Sequence, residues 1–138
     1  MERKPDENHY LGVIIAESLA APEILQKLKI TQTVVEPVTE AHQTPWLAQW
    51  SLHYVEIPVG EIKMVAEAIS QALDPEHGGS WYADFRNANW HYIIFRGRIF
   101  KIDRSKPEQY AEVTRYGVSL GIPVYQLDFS PVIQEWQR

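Results

Sequence analysis

The chain contains no cysteine among its 138 residues. That excludes disulfides, thiolate catalysis and cysteine-held zinc, and it makes the cytoplasm the simple expectation for location. No apolar run approaches the roughly 18 residues of a membrane-spanning helix, and Met1 to His9 is too polar for a signal peptide. The expected mature protein is therefore the whole chain. Neither a G-x-x-x-x-G-K-[ST] nor a G-x-G-x-x-G loop is present, which disfavours nucleotide binding by those routes. The histidines, His9, His42, His53, His77 and His91, are dispersed and form no H-x-x-x-H arrangement. Although His53 and His91 could converge across strands, the expectation is histidines satisfied by their neighbours, with no metal and no cofactor. Positive charge is also in short supply. Lys plus Arg number 13 against 18 acidic residues, a net charge of -5, so neither nucleic acid nor an anionic membrane is an expected partner.

What is present suits one domain spanning 1–138, with 1–9 a frayed leader and 130–138 a tail in which Trp136 docks. A chain of this length buries about two thirds of its unfolded surface and needs no metal or disulfide to fold. Aromatic residues make up 12% of it, enough to anchor a core or a contact surface. No shift toward Gly or Ser marks a linker, and no repeat or low-complexity tract is visible.

The stretch from Trp81 to Arg104 organises the rest. Phe95-Arg96-Gly97-Arg98 reads as a two-residue hairpin, Gly97 supplying the positive φ such turns require. Phe95 then faces Arg98, Ile93 faces Phe100 and His91 faces Ile102 on one side. Ile94 faces Ile99, Tyr92 faces Lys101 and Trp90 faces Asp103 on the other. Upstream, Arg86-Asn87-Ala88-Asn89-Trp90 fits a second turn. A three-residue loop there sets Phe85, Ala83 and Trp81 beside His91, Ile93 and Phe95. The inward set is thus Trp81, Ala83, Phe85, Ile93, Phe95, Phe100 and Ile102. The outward face holds Tyr82, Asp84, Arg86, Trp90, Tyr92, Lys101 and Asp103, aromatic rings among charges of both signs.

Around this meander, Tyr10 to Ile15 reads as a strand, Pro22 opens a short helix, and Ile30 to Val38 returns as an extended segment. Thr39 to Pro45 is a polar loop. Trp50 to Ile57 alternates as a central strand, and Ile62, Val65, Ala66, Ile69, Ala72 and Leu73 recur at helical spacing. Ser105-Lys106-Pro107-Glu108 matches a capping box. From it a helix runs with Tyr110, Val113, Gly117 and Leu120 on one face, and Gly117 permits close packing. Val124 to Phe129 forms a last strand or lies extended across the sheet. The expected fold is α+β: a mainly antiparallel sheet with a three-stranded meander (about 81–103), two principal helices (about 60–73 and 106–120) on one face, and an N-terminal strand-helix-strand.

Gly117-Val118-Ser119-Leu120-Gly121 fits the G-x-S-x-G pattern of serine hydrolases, and His77-Gly78-Gly79-Ser80 superficially matches an oxyanion loop. The context is wrong. A nucleophile elbow needs a strand before its serine, whereas Ser119 ends a helix.

The outward face is the better candidate. Two carboxylates and an arginine between aromatic walls can orient a small polar ligand, and the same groups equally make cross-strand pairs on a wet sheet. The leading expectation is a non-catalytic binding module for a protein partner or small polar ligand, using Tyr82, Asp84, Arg86, Trp90, Tyr92, Lys101 and Asp103. The alternative is a small enzyme with Asp84 or Asp103 as acid/base, Arg86 or Lys101 orienting an anion, and Tyr82, Trp90 and Tyr92 as walls. A third is a homodimer, with an edge strand pairing across a two-fold axis.

Trp81-Tyr82-Ala83-Asp84-Phe85, His91-Tyr92-Ile93-Ile94-Phe95, Phe100-Lys101-Ile102, Tyr116-Gly117-Val118-Ser119-Leu120-Gly121-Ile122-Pro123 and Gln126-Leu127-Asp128-Phe129 together resemble a family of small bacterial proteins with no assigned activity. The resemblance covers roughly the last sixty residues. It implies a bacterial, cytosolic protein and no particular chemistry.

Overall fold

A computed structural model describes residues 7–40, 44, 46–76 and 81–127. Its strands are β1 (His9–Ile15), β2 (Lys29–Pro37), β3 (Gln49–Pro58), β4 (Tyr82–Arg86), β5 (Trp90–Phe95) and β6 (Arg98–Asp103). They form one sheet in the order β2-β3-β1-β4-β5-β6, antiparallel at every pairing. Two helices accompany it, α1 (Ile62–Ala72) and α2 (Tyr110–Ser119), so the class is α+β.

β1 and β3 are central because both of their sides are apolar enough to be covered. Tyr10, Ile14, Ile15, Trp50, Leu52, Val55 and Ile57 are all buried. Gly12 is what lets β4 approach β1. It pairs with Phe85, and a Cβ there would overlap the Asp84 carbonyl oxygen and stand 2.6 Å from Phe85 Cδ1.

The segment between β1 and β2 forms 3-10 turns at Ala16–Ser18 and Pro22–Lys27 instead of an α-helix. Six residues opened by a proline, with no donor at that position, are too few to repay α-helix nucleation. The extended reading of Val124 to Phe129 is likewise replaced, over its described part, by a 3-10 turn at Val124–Gln126. Asp128 and Phe129 fall outside the described residues, as do Met1 to Asp6 of the leader, His77 to Ser80 and the 130–138 tail with Trp136.

α1 buries Ile62, Val65, Ala66 and Ile69, the i, i+3, i+4, i+7 stripe of an amphipathic helix, each large side chain contributing about 1.5–3 kcal/mol. They pack in a cluster with Ala83, Phe85, Tyr92 and Ile94. α2 belongs to a second cluster, where Tyr110 and Val113 join Ile93, Phe95, Phe100 and Ile102. Ile93 and Ile94 are consecutive on one strand and so point to opposite sides. The two helices therefore cover opposite faces of the sheet, which corrects the expectation of both on one. The physical reason lies in β5, whose Trp90-His91-Tyr92-Ile93-Ile94-Phe95 is apolar on both sides. Such a run needs two covers.

The β5–β6 hairpin has the expected register, Phe95 opposite Arg98 and Trp90 opposite Asp103, with Gly97 at φ 75°. The β4–β5 register is one residue off the expectation. Arg86 pairs with His91, Phe85 with Tyr92 and Ala83 with Ile94. Buried Asn87 decides this, because its side-chain oxygen accepts from the amides of Asn89 and Trp90 at 2.9 and 2.7 Å. Its own amide donates to the Trp90 carbonyl at 3.0 Å. The loop thus closes on Ala88-Asn89, shorter than the three residues expected, and a one-residue slip turns every β4 side chain to the other face. Trp81, Ala83 and Phe85 remain buried, but on the α1 side.

The capping box does not form. Ser105 gives its hydroxyl and its amide to Asp103 Oδ1 at 2.7 and 2.9 Å, and a 3-10 turn at Pro107–Gln109 precedes α2. A carboxylate two residues back is a nearer acceptor than the free end of a turn not yet formed. Gly117 packs closely, as expected, since a Cβ there would meet Leu127 Cδ2 at 2.6 Å.

Candidate functional site

The register slip divides the seven expected site residues between two faces. Trp90, Tyr92, Lys101 and Asp103 share one, through the pairs Trp90–Asp103 and Tyr92–Lys101. Lys101 Nζ lies 4.3 Å from the centre of the Trp90 ring and 5.9 Å from that of Tyr92, a cation-π contact worth about 0.5–1 kcal/mol where exposed. Tyr92 is buried and its hydroxyl pKa is raised by desolvation, so it serves the core and is no ligand wall. Asp103 accepts from both donors of Ser105, which hold its pKa below the usual carboxylate value. A carboxylate so stabilised stays charged and makes a poor general acid.

Tyr82, Asp84 and Arg86 stand on the opposite face, toward α2. The Tyr82 hydroxyl donates to the Gln126 carbonyl, so this ring too is structural. Asp84, 7% exposed, is not on a wet surface. Its Oδ2 lies 2.7 Å from His91 Nε2, and His91 Nδ1 lies 2.9 Å from the Tyr110 hydroxyl. An ionised carboxylate can only accept, so Nε2 carries a proton, and in the neutral imidazole Nδ1 then accepts from Tyr110. Asp84, His91 and Tyr110 form a buried hydrogen-bonded chain between β4, β5 and the start of α2.

Two guanidiniums border that chain. Arg104 Nη1 donates to the Asn87 carbonyl at 2.5 Å. Its pKa is lowered first by burial and then by the charge of Arg86. Tyr110 senses the same charges: burial raises its pKa, Arg104 opposes, Asp84 adds to the rise, and Arg86 opposes again. Arg86 itself is half-buried on β4, where its backbone stands between those of Leu11 and His91. At this end of the sheet the two arginines stand near two carboxylates, Asp84 in the buried chain and Asp103 at the end of β6. Beside it lies an open depression of about 640 Å³ lined by Ala88, Asn89, Trp90, Asp103, Arg104 and Ser105.

Arg104, Asn87 and Tyr110 were not among the expected site residues. A signal for Arg104 existed, as it follows Asp103 by one and so shares the face of Ile102. Tyr110 was hidden by the capping-box reading, which placed it as one more apolar position on a helix. Elsewhere His53 Nδ1 is 2.8 Å from Thr33 Oγ1, and His9 Nε2 is 3.5 Å from Glu56. His53 on β3 and His91 on β5 are separated by β1 and β4, so they do not converge. Among the described residues no three His, Asp or Glu side chains come together as metal ligands, and no helix is long and apolar enough to cross a membrane. Ser119 ends α2 and gives its hydroxyl to the Tyr116 carbonyl at 2.5 Å, so no nucleophile elbow surrounds it. Comparison with protein-family models, with curated proteins and with solved structures finds no match.

Proposed function

We propose that this chain is a small cytosolic, non-catalytic binding module, bacterial as its family resemblance implies, that holds a small anionic ligand in the depression beside Trp90 and Arg104. The observation that carries the reading is the pair Arg86 and Arg104, whose charges bear on each other at a partly buried sheet end. Like charges in reduced dielectric are costly to assemble, and a bound carboxylate or phosphate relieves that cost. Arg104 lines the depression and contacts the anion; Arg86 reinforces the potential behind it, and Trp90 offers a flat apolar wall.

The test is titration of the full chain with inorganic phosphate and, separately, citrate, followed by NMR shifts of the Trp90 indole and the arginine side chains. Saturable shifts with Kd of about 1 mM or tighter are expected, corresponding to roughly 4 kcal/mol. Arg104→Gln and Arg86→Gln should each weaken binding by about tenfold or more. Shifts that never saturate, or that survive both substitutions, would sink the reading.

A second reading, acid/base catalysis, is favoured by one observation, the Asp84–His91–Tyr110 chain, which resembles a proton relay ending on a hydroxyl. It ranks below binding because both His91 nitrogens are already occupied and the ring is 1% exposed, leaving only the Tyr110 oxygen for a substrate to reach.

A further inference from the structure

The two edges of the sheet are protected very differently. β6 is six residues long, carries Arg98, Lys101 and Asp103, and is held at its end where its Asp103 amide donates to Gln109 Oε1 at 3.0 Å. β2 is nine residues long, and every residue except Glu36 is exposed. From Ile30 to Val35 it reads Ile-Thr-Gln-Thr-Val-Val, six residues of which five are β-branched strand formers, without a charge or a proline. A segment of that composition on an open edge invites another strand. It is also held ready for one. Thr31 Oγ1 donates to the Tyr54 carbonyl at 3.2 Å, and Thr33 Oγ1 bonds His53 Nδ1 at 2.8 Å, so the strand is pinned along β3, and among the described strands none pairs with its outer edge.

The usable length of that edge is set at both ends. A bulge interrupts the register between Ile30 and Gln32, and Pro37 has no amide to donate. Between them lies the regular window Gln32 to Glu36, whose centre is Val34. A two-fold axis at that centre pairs the window with itself antiparallel: Val34 meets Val34, Thr33 meets Val35, and Gln32 meets Glu36. Every pair is a favourable one, apolar on apolar, β-branched on β-branched, and carboxamide donor on carboxylate. Centring on Thr33 instead sets Gln32 against Val34 and Ile30 against Glu36, which is poorer at both. A window this symmetric fits a second copy of the same chain better than an unrelated strand.

We infer that β2 is a self-association edge, joining two copies of this chain antiparallel about Val34 into one continuous twelve-stranded sheet, six strands from each. The interface is distinct from the Arg86–Arg104 end, which lies on the far side of β1.

The absence of cysteine makes the register directly testable. The full chain should show twice its monomer mass in solution at concentrations up to about 100 μM, where a Kd of ~10 μM is visible. Val34→Lys, at an exposed position, should return it to the monomer mass with its circular dichroism unchanged. Under oxidation Val34→Cys should link to itself. Gln32→Cys and Glu36→Cys should each stay unlinked alone and link when mixed. A monomer at every concentration, a dimer that persists in Val34→Lys, or a Val34→Cys chain that fails to self-link would each overturn the inference, including the case in which the edge serves another protein.

Discussion

A single side chain, Asn87, decides which residues of β4 meet which solvent. Its carboxamide holds the Asn89 and Trp90 amides, and that choice of loop moves Asp84 from a wet face to a buried bond with His91. Gly12 has comparable leverage. Because the obstacle to a Cβ there includes the Asp84 carbonyl and the Phe85 Cα at 2.8 Å, no side-chain rotation can relieve it. Gly12→Ala should therefore cost on the order of 3 kcal/mol, measured as a drop in denaturant midpoint at unchanged m-value. Gly117→Ala meets only the flexible tip of Leu127 and should cost less, so the two variants compared separate backbone collision from side-chain crowding. The Gly12 contact was not legible in the sequence, because it depends on how near β4 comes.

At the scale of elements, the β5–β6 turn is fastened to the end of α1. Ser70 Oγ donates to the Phe95 carbonyl at 2.6 Å and accepts from the Gly97 amide at 2.8 Å. Arg96 Nη1 donates to the carbonyls of Gln71 and Leu73 at 2.8 and 2.7 Å, satisfying C-terminal groups that a helix otherwise leaves open and placing a cation at the negative end of its dipole. Removing either clasp should cost about 1–2 kcal/mol. Ser70→Ala and Arg96→Ala act on the same joint, so their combined loss should differ from the sum by about 0.5 kcal/mol or more in a double-mutant cycle. α1 itself was legible, since its stripe of apolar residues has helical period. The serine inside that stripe gave no sign that it would bond a hairpin 25 residues on.

Across the whole molecule, three buried tyrosines set the alkaline limit. Tyr10 has its pKa raised from 10.0 to about 12 by burial and by the neighbouring Tyr92, with the two rings 5.4 Å apart edge to face. Tyr92 and Tyr110 are also raised, burial being the main cause in each. A group whose pKa is higher folded than unfolded holds its proton longer in the native state. Its stabilising contribution is complete below the unfolded value and is lost as pH rises through the folded one. Stability should therefore be flat up to about pH 10 and fall steeply toward pH 12, with a slope that becomes shallower in Tyr10→Phe; urea melts at intervals across that range measure it. A flat profile to pH 12 would remove the case for these hydroxyls as buried acids.

The sequence by itself determined the α+β class, the position and apolar face of α1, the centrality of β3 and the β5–β6 register. Each of these rests on local period or on a turn whose geometry one glycine dictates. Only the tertiary structure decided that α1 and α2 lie on opposite faces, that Asp84 joins His91 and Tyr110, and that Arg86 and Arg104 share one sheet end. The last two facts depend on a loop one residue shorter than it reads, and parity across a strand turns that small difference into a change of face. β5 shows the same limit from the other side. Its apolar residues announce burial on both faces, but what covers each is settled by chain segments far away in sequence, which no local pattern records.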